Sequence, residues 1–420
     1  MNYQDYTQQN TARLSDKIPQ GSLVLVSAAQ HLKRNHDVYY PYRQSSHFYW
    51  LTAFEEPQAV YAMHKTNETA TYLFHQGQQP SEVQWESPTK SHKETKSSYG
   101  FSDTLPLQKL TEWLATTLKT TTTVYALQDD PIQQQIKQIN PDISIVLLDG
   151  IMRSCRLKKT KIEQELISQA CAITARAHQY TIQATKTQPL RFEYQVAATF
   201  EYHCHMQGAH TLAYPTIAAN GENACILHYI DNQQPLRLGD IILMDAGCQW
   251  YNHAADITRC WPVSGKFTSE QKQVYQAVLD AQKACISALK PGVSMMAIND
   301  IAKRSLTQSL REIGIIKASL DQALEEGMYY PYYCHSIGHS LGLDVHDTQP
   351  KASEWILEEG TILTIEPGLY IPKHTDVNAG FKGLGIRIED NILITKDGHK
   401  NLTQDLVKEI DDIELLIEGG

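Results

Sequence analysis

Asp245, Asp256, His339, Glu366 and Glu389 stand along the second half of a 420-residue chain, four of them set in or beside apolar runs. Asp245 closes Ile241-Ile242-Leu243-Met244, Asp256 opens Asp-Ile-Thr-Arg (256–259), and His339 follows Gly338. Glu366 lies between Ile362-Leu363-Thr364-Ile365 and Pro367-Gly368, and Glu389 ends Gly385-Ile386-Arg387-Ile388. Four carboxylates and an imidazole converging on one point repel one another strongly unless cations sit among them. Oxygen donors with a single imidazole suit Mn²⁺, with Co²⁺ or Zn²⁺ as alternatives, rather than a structural thiolate site. The set predicts a metallo-hydrolase holding two divalent ions.

Singly, each signal has a plainer reading. Asp245 before Gly247 could cap a turn. Asp256 comes eleven residues later, after the turn-like Gln249-Trp-Tyr-Asn-His-Ala254, a spacing that lets one hairpin bring the two carboxylates together. Period-two alternation puts Arg387 and Glu389 on one strand face. That face is either solvated or one where Arg387 lowers the pKa of its neighbour and orients it. His335 and His339 are four apart and His346 is seven further on; one helical turn or a glycine-rich loop (Gly338, Gly342) would aim the first two at a common point. His228, in Cys225-Ile-Leu-His-Tyr229, sits on an apolar segment where a core histidine is the plainer reading. His47 reads as structural or surface.

Other chemistries lack their motifs. There is no His-Glu-x-x-His, no Gly-x-Ser-x-Gly elbow, no Walker loop and no dinucleotide-binding glycine fingerprint.

These residues need a framework. Ser22–Ala29 reads as a buried strand, with further strands at 58–64, 69–75 and 143–148 and a helix at 105–119. Residues 76–100 read as an irregular polar excursion. A long helix begins near Thr160, with Ile162, Leu166, Ile167 and Ala170 at helical spacing. The boundary falls there, predicting an α/β domain over 1–158 and a second domain over 159–420. The second layout repeats: a helix and Asp-bearing strands (160–263), then a helix and strands bearing His and Glu (268–395), as if two halves closed over a shared site.

Net charge −10 with no basic block argues against nucleic acid as a partner. No run of 18 apolar residues predicts a membrane helix, and the polar N-terminus shows no signal peptide. Eight scattered cysteines without a CxxC pair fit a reducing cytoplasm, as small buried hydrophobes.

With Met-Asp-Ala-Gly (244–247), Asp-Ile-Thr-Arg (256–259), Gly-Leu-Asp-Val-His-Asp (342–347), Glu-Pro-Gly-Leu-Tyr (366–370) and Gly-Ile-Arg-Ile-Glu-Asp (385–390) in place, the second half resembles the pita-bread metallopeptidase superfamily. That group includes methionine aminopeptidase, prolidase, aminopeptidase P and creatinase. Asp37–Phe54, with Tyr42-Arg-Gln-Ser-Ser-His-Phe-Tyr-Trp-Leu-Thr52, and Gly221–Tyr229 are similar to bacterial aminopeptidase P; Ala53 departs from its signature, which has Gly, and 76–100 matches poorly.

The resemblance implies an α/β (α+β) chain, a creatinase-like N-terminal domain followed by a pita-bread catalytic domain. It implies a cytoplasmic Xaa-Pro aminopeptidase that cleaves before proline with a hydroxide bridging two metals, prolidase being the alternative. Asp256 and Glu389 would bridge the metals, Asp245 would bind one, and His339 with Glu366 the other. Glu366 would act as general base, His346 as oxyanion donor, His335 and His228 as pocket walls, and Arg387 as a positioner. The partners implied are peptides beginning Xaa-Pro and a second copy, as homodimer or homotetramer, with Trp85 a candidate to reach a neighbouring subunit's site. Creatinase-like chemistry, which is metal-independent, has no use for a full ligand set. A pita-bread binding module would have lost ligands, and all five are present.

Overall fold

The computed structural model describes residues 1–77, 89–187 and 190–419. They fall into two compact units, Met1–Arg156 and Leu157–Gly420.

The first unit is built on a six-stranded mixed sheet. Its strands are β1 (Ser22–Ser27), β2 (Val60–Lys65), β3 (Thr69–His75), β4 (Asp103–Pro106), β5 (Thr123–Ala126) and β6 (Ser144–Leu147), in the order β4-β3-β2-β1-β5-β6. Leu23, Val24, Leu25 and Val26 are wholly buried, as expected of a central strand with both faces covered. The expected helix at 105–119 is shorter: a strand runs to Pro106 and the helix proper is Leu110–Thr117, because proline has no N–H for a helical ladder. The expected excursion at 76–100 ends in a helix, His92–Tyr99, closed at its start by a Ser91/Glu94 capping box. That S-x-x-E spacing was a readable start signal. Trp85 lies outside the described residues.

The 37–54 segment is knit by Gln44. Its Oε1 accepts from the Ala29 and Ser45 backbone N–H groups at 2.7 and 2.9 Å, and its Nε2 donates to the Phe54 and Glu56 carbonyls at 3.2 Å each. Ala53 takes φ +50°, a left-handed conformation in which glycine is the default residue. His47 is structural: its Nδ1 lies 3.1 Å from Arg156 Nη1.

The second unit repeats one plan: a helix pair followed by antiparallel strands. The first half has α1 (Lys161–Thr187), α2 (Glu193–Met206), β7 (Ile217–Asn220), β8 (Ile241–Ala246) and β9 (Ile257–Pro262). The second has α3 (Ser269–Ser287), α4 (Met295–Glu312), β10 (Ile362–Ile365), β11 (Gly368–Ile371), β12 (Leu384–Arg387) and β13 (Asp390–Ile394). Strands β7, β8 and β9 form one sheet, β10 pairs with β13, and β11 pairs with β12. The helices pack on an apolar core that includes Trp261, Tyr275 and Trp355. No helix among the described residues is long and apolar enough to cross a membrane.

Candidate metal centre

Strand register carries the acids to one place. In the β8–β9 hairpin Asp245 lies opposite Thr258, and Asp256 immediately precedes β9. Ile365 of β10 pairs with Asp390 of β13, so Glu366 and Glu389 leave their strands side by side. The Glu389 backbone N–H donates to the Thr258 carbonyl at 3.1 Å, joining the two halves. Two close approaches demand glycine. A Cβ on Gly247 would fall 1.8 Å from the Ala255 carbonyl oxygen, and one on Gly338 would fall 1.9 Å from that of Thr364.

Asp256, His339 and Glu389 each present a ligand atom, all within 4.8 Å of one another. His339 Nε2 stands 3.3 Å from Asp256 and 3.5 Å from Glu366. Its Nδ1–H donates to the Ser340 carbonyl at 3.2 Å, which turns Nε2 toward the acids, where a cation displacing its proton would find a ligand atom. Tyr214 joins Asp245 to the group, its hydroxyl within hydrogen-bond reach of both Asp245 Oδ1, at 2.6 Å, and Asp256 Oδ1. Asp245 is thus tied to Asp256 through Tyr214.

The Arg387 charge draws the Glu389 carboxyl down, as expected, but the hydrogen bonds of Arg387 go elsewhere. Its Nη2 pairs with Asp245 Oδ2 at 2.5 Å, its Nη1 donates to the Tyr370 hydroxyl at 3.0 Å and its Nε to Thr258 Oγ1 at 3.1 Å. Thr258 instead holds Glu389, donating to Oε2 at 2.7 Å. Asp245 and Thr258 lie opposite each other in the β8–β9 pairing, which brings both within hydrogen-bond reach of the one guanidinium. His335 and His339 share no helical turn; they lie on an irregular stretch. Tyr370 links His335 to the network, its hydroxyl lying 2.9 Å from His335 Nε2. His346 stands edge-on to His339, ring centroids 4.4 Å apart.

Asp245, Asp256, His335, His339, His346, Glu366, Arg387 and Glu389 line one cavity of about 410 Å³, together with His228 and Leu227. Sequence reasoning missed Tyr214, Tyr370 and Thr258. Tyr370 and Thr258 lay inside quoted motifs, but nothing local marks Tyr214.

The charges explain what such a cluster requires. Burial, then the Asp256, Glu366 and Asp245 charges, pushes Glu389 far above the usual carboxylate range. Burial also raises Glu366 to about 7, although His339 and Arg387 oppose it. Asp245 is raised by burial against the pull of Arg387. Burial pulls the His339 imidazole down, but the Asp256 hydrogen bond and the Glu366 charge prevail and bring it to about 9. Asp256 is lowered: burial pushes it up, but the hydrogen bond from His339, the His339 charge and the Tyr214 hydrogen bond together outweigh that. His335 is held near 4 by burial and by Arg387, and burial followed by the His339 charge lowers His346. Glu389 Oε1 is buried with no donor among the described residues. A divalent cation fits these residues: it would take the place of the retained protons and give that orphaned oxygen its partner.

Residues 165–396 match the family model described as metallopeptidase family M24, and residues 7–125 match that of the aminopeptidase P N-terminal domain. An Xaa-Pro aminopeptidase of Haemophilus influenzae is 36% identical, covering 99% of this chain and 97% of its own. One of Escherichia coli is 33% identical over 98% and 97%. Among solved structures, a zinc-substituted E. coli aminopeptidase P in complex with product superposes with a TM-score of 0.95 at 32% identity, covering 99% and 98% of the two chains. Proline aminopeptidase P II of Yersinia pestis does so at 0.95 and 33%, covering all of both chains.

Proposed function

We infer the reaction from one premise: the chain belongs to metallopeptidase family M24, with the N-terminal domain of aminopeptidase P in its first half. It is a metalloaminopeptidase that releases the first residue of peptides with proline in second position. The observation that carries this is the likeness to Xaa-Pro aminopeptidases along nearly the entire chain, and the gathering of Asp245, Asp256, Glu366, Glu389 and His339 around one cavity agrees with it. The dipeptide-only prolidase reading falls behind, because the likeness extends through both domains.

Asp256 and Glu389 would hold two cations in common, with Asp245 completing one coordination sphere and His339 with Glu366 the other. Bound there, divalent cations supply an acidified water and a polarised scissile carbonyl. Mn²⁺ is our choice for an oxygen-rich set with one imidazole, with Co²⁺ and Zn²⁺ as alternatives. Glu366 takes the proton of the attacking water and delivers it to the prolyl nitrogen. His346 donates to the carbonyl oxygen as it gains charge. His228 and His335 contact the proline ring or the backbone beyond it. Arg387 holds Asp245 and Tyr370 in place. An Xaa-Pro amide lacks the N–H that ordinary peptidases engage and restricts the residue before it, so a dedicated pocket is needed. Free cysteines at all eight positions suit a cytoplasmic setting. From the family resemblance we propose a homodimer or homotetramer.

The test is hydrolysis of an Xaa-Pro-Yaa tripeptide beside an Xaa-Pro dipeptide, after chelation and after Mn²⁺ is restored. Tripeptide cleavage that returns with the metal is expected; cleavage of the dipeptide alone means a prolidase. His346→Ala is expected to lower kcat by about 10²–10³ with KM little changed, as for a lost oxyanion donor. A change confined to KM would make His346 a binding residue instead.

A further inference from the structure

His228 reaches the cavity from a segment with little regular structure. After a single 3₁₀ turn at Gly221–Cys225, no strand or helix runs from Ile226 to Gln234. Such a stretch cannot aim a side chain through its own backbone ladder. Something outside it must do so.

Glu193, at the start of α2 and wholly buried, makes that connection. Its Oε1 accepts from the Asn220 backbone N–H at 2.8 Å and from Asn223 Nδ2 at 2.9 Å. Its Oε2 accepts from the Tyr229 hydroxyl at 2.7 Å and from the Gln234 backbone N–H at 2.8 Å. The Glu193 backbone N–H donates back to the Gln234 carbonyl at 3.0 Å. One carboxylate thus gathers donors from both ends and the middle of the segment, and Tyr229 adjoins His228. The helix N-terminus favours the negative charge needed to accept all four. Asn232 secures the far side: Oδ1 accepts from the Ala218 N–H at 2.9 Å and Nδ2 donates to the Thr216 carbonyl at 2.8 Å. Glu193 is not itself a wall of the cavity.

We propose that Glu193 is a positioning residue for substrate binding: it gathers residues 220–234 so that His228 meets the peptide, and it thereby sets KM for Xaa-Pro substrates. This rests on the reading of His228 as a substrate contact. Glu193→Gln replaces an acceptor with an amide NH₂ that faces existing donors. It is expected to raise KM for an Xaa-Pro-Yaa tripeptide about tenfold, the scale of a lost charge-assisted hydrogen bond, with kcat within about threefold. Bound Mn²⁺ per chain stays at the wild-type value, because no metal ligand moves. His228→Ala raises KM similarly, and the double variant is no worse than the worse single one, because both changes remove the same contact. Tyr229→Phe removes one donor of the four and leaves the carboxylate in place; about a threefold rise in KM is expected, and it decides the matter should Glu193→Gln fail to fold. A folded Tyr229→Phe or Glu193→Gln protein with unchanged KM overturns the proposal, as do KM effects that multiply with that of His228→Ala. An unchanged KM in His228→Ala overturns the contact reading first and the proposal with it, while a normal His228→Ala effect beside silent Glu193 and Tyr229 variants overturns the proposal alone.

Discussion

Glu366→Ala lowers kcat on an Xaa-Pro-Yaa tripeptide by about 10⁴ or more. A lost general base costs about 10²–10⁴ in rate, and this residue is also assigned to a metal, so two losses combine. The geometry leaves no substitute: Glu366 is the carboxylate 3.5 Å from His339 Nε2, and its backbone N–H is tied to the Ile337 carbonyl at 2.8 Å. Asp256, the other acid at His339, already accepts from Tyr214 and His339. Single-turnover rates measured on samples of known metal content separate the two losses. Glu366→Gln tests the base more directly: it keeps the side-chain shape and one oxygen, so a metal-loaded Glu366→Gln protein that remains inactive assigns the defect to proton transfer. Near-wild-type turnover in Glu366→Ala would sink the proposed site altogether.

The second large effect concerns stability and changes sign with metal. Glu389 is 1% exposed, shares its cavity with four other acids and has one oxygen without a donor among the described residues. In metal-free protein Glu389 retains its proton, so Glu389→Gln exchanges one neutral group for another of the same shape among the neighbouring acids. The metal-free variant should melt at or above the metal-free wild type. With Mn²⁺ the order reverses. A ligand at a hundredfold excess over its Kd stabilises the folded state by about 2.7 kcal/mol, a rise of about 5–10 °C for a unit of this size. The wild type should show that rise, and the variant should show little of it. An equal Mn²⁺-dependent rise in both proteins would remove Glu389 from the ligand set. A much lower melting temperature for the metal-free variant would mean that its carboxylate serves the fold.

A carboxylate inside an apolar strand is a conspicuous object in a sequence, because burying it is costly without compensation. That is why Asp245, Glu366 and Glu389 could be read directly, and why adding Asp256 and His339 suggested a metal site before any geometry. The α/β first half, the helix at 160 and the repeated layout of the second half were legible for a similar reason: apolar periodicity records which face of each element is buried. Helix ends were less legible. Pro106 and the Ser91/Glu94 cap were present, but neither was read for what it does to the chain.

What joins to what was decided only by the fold. Arg387 was matched with Glu389 because they are two residues apart, yet it pairs with Asp245, 142 residues away. Tyr214 bridges two aspartates 31 and 42 residues away, and Glu193 gathers a segment up to 41 residues distant. Residue type and local period set which groups must be buried and what would satisfy them. Strand register and hairpin packing set which partner arrives, because a hydrogen bond depends on distance across the sheets, and local sequence spacing does not encode that distance.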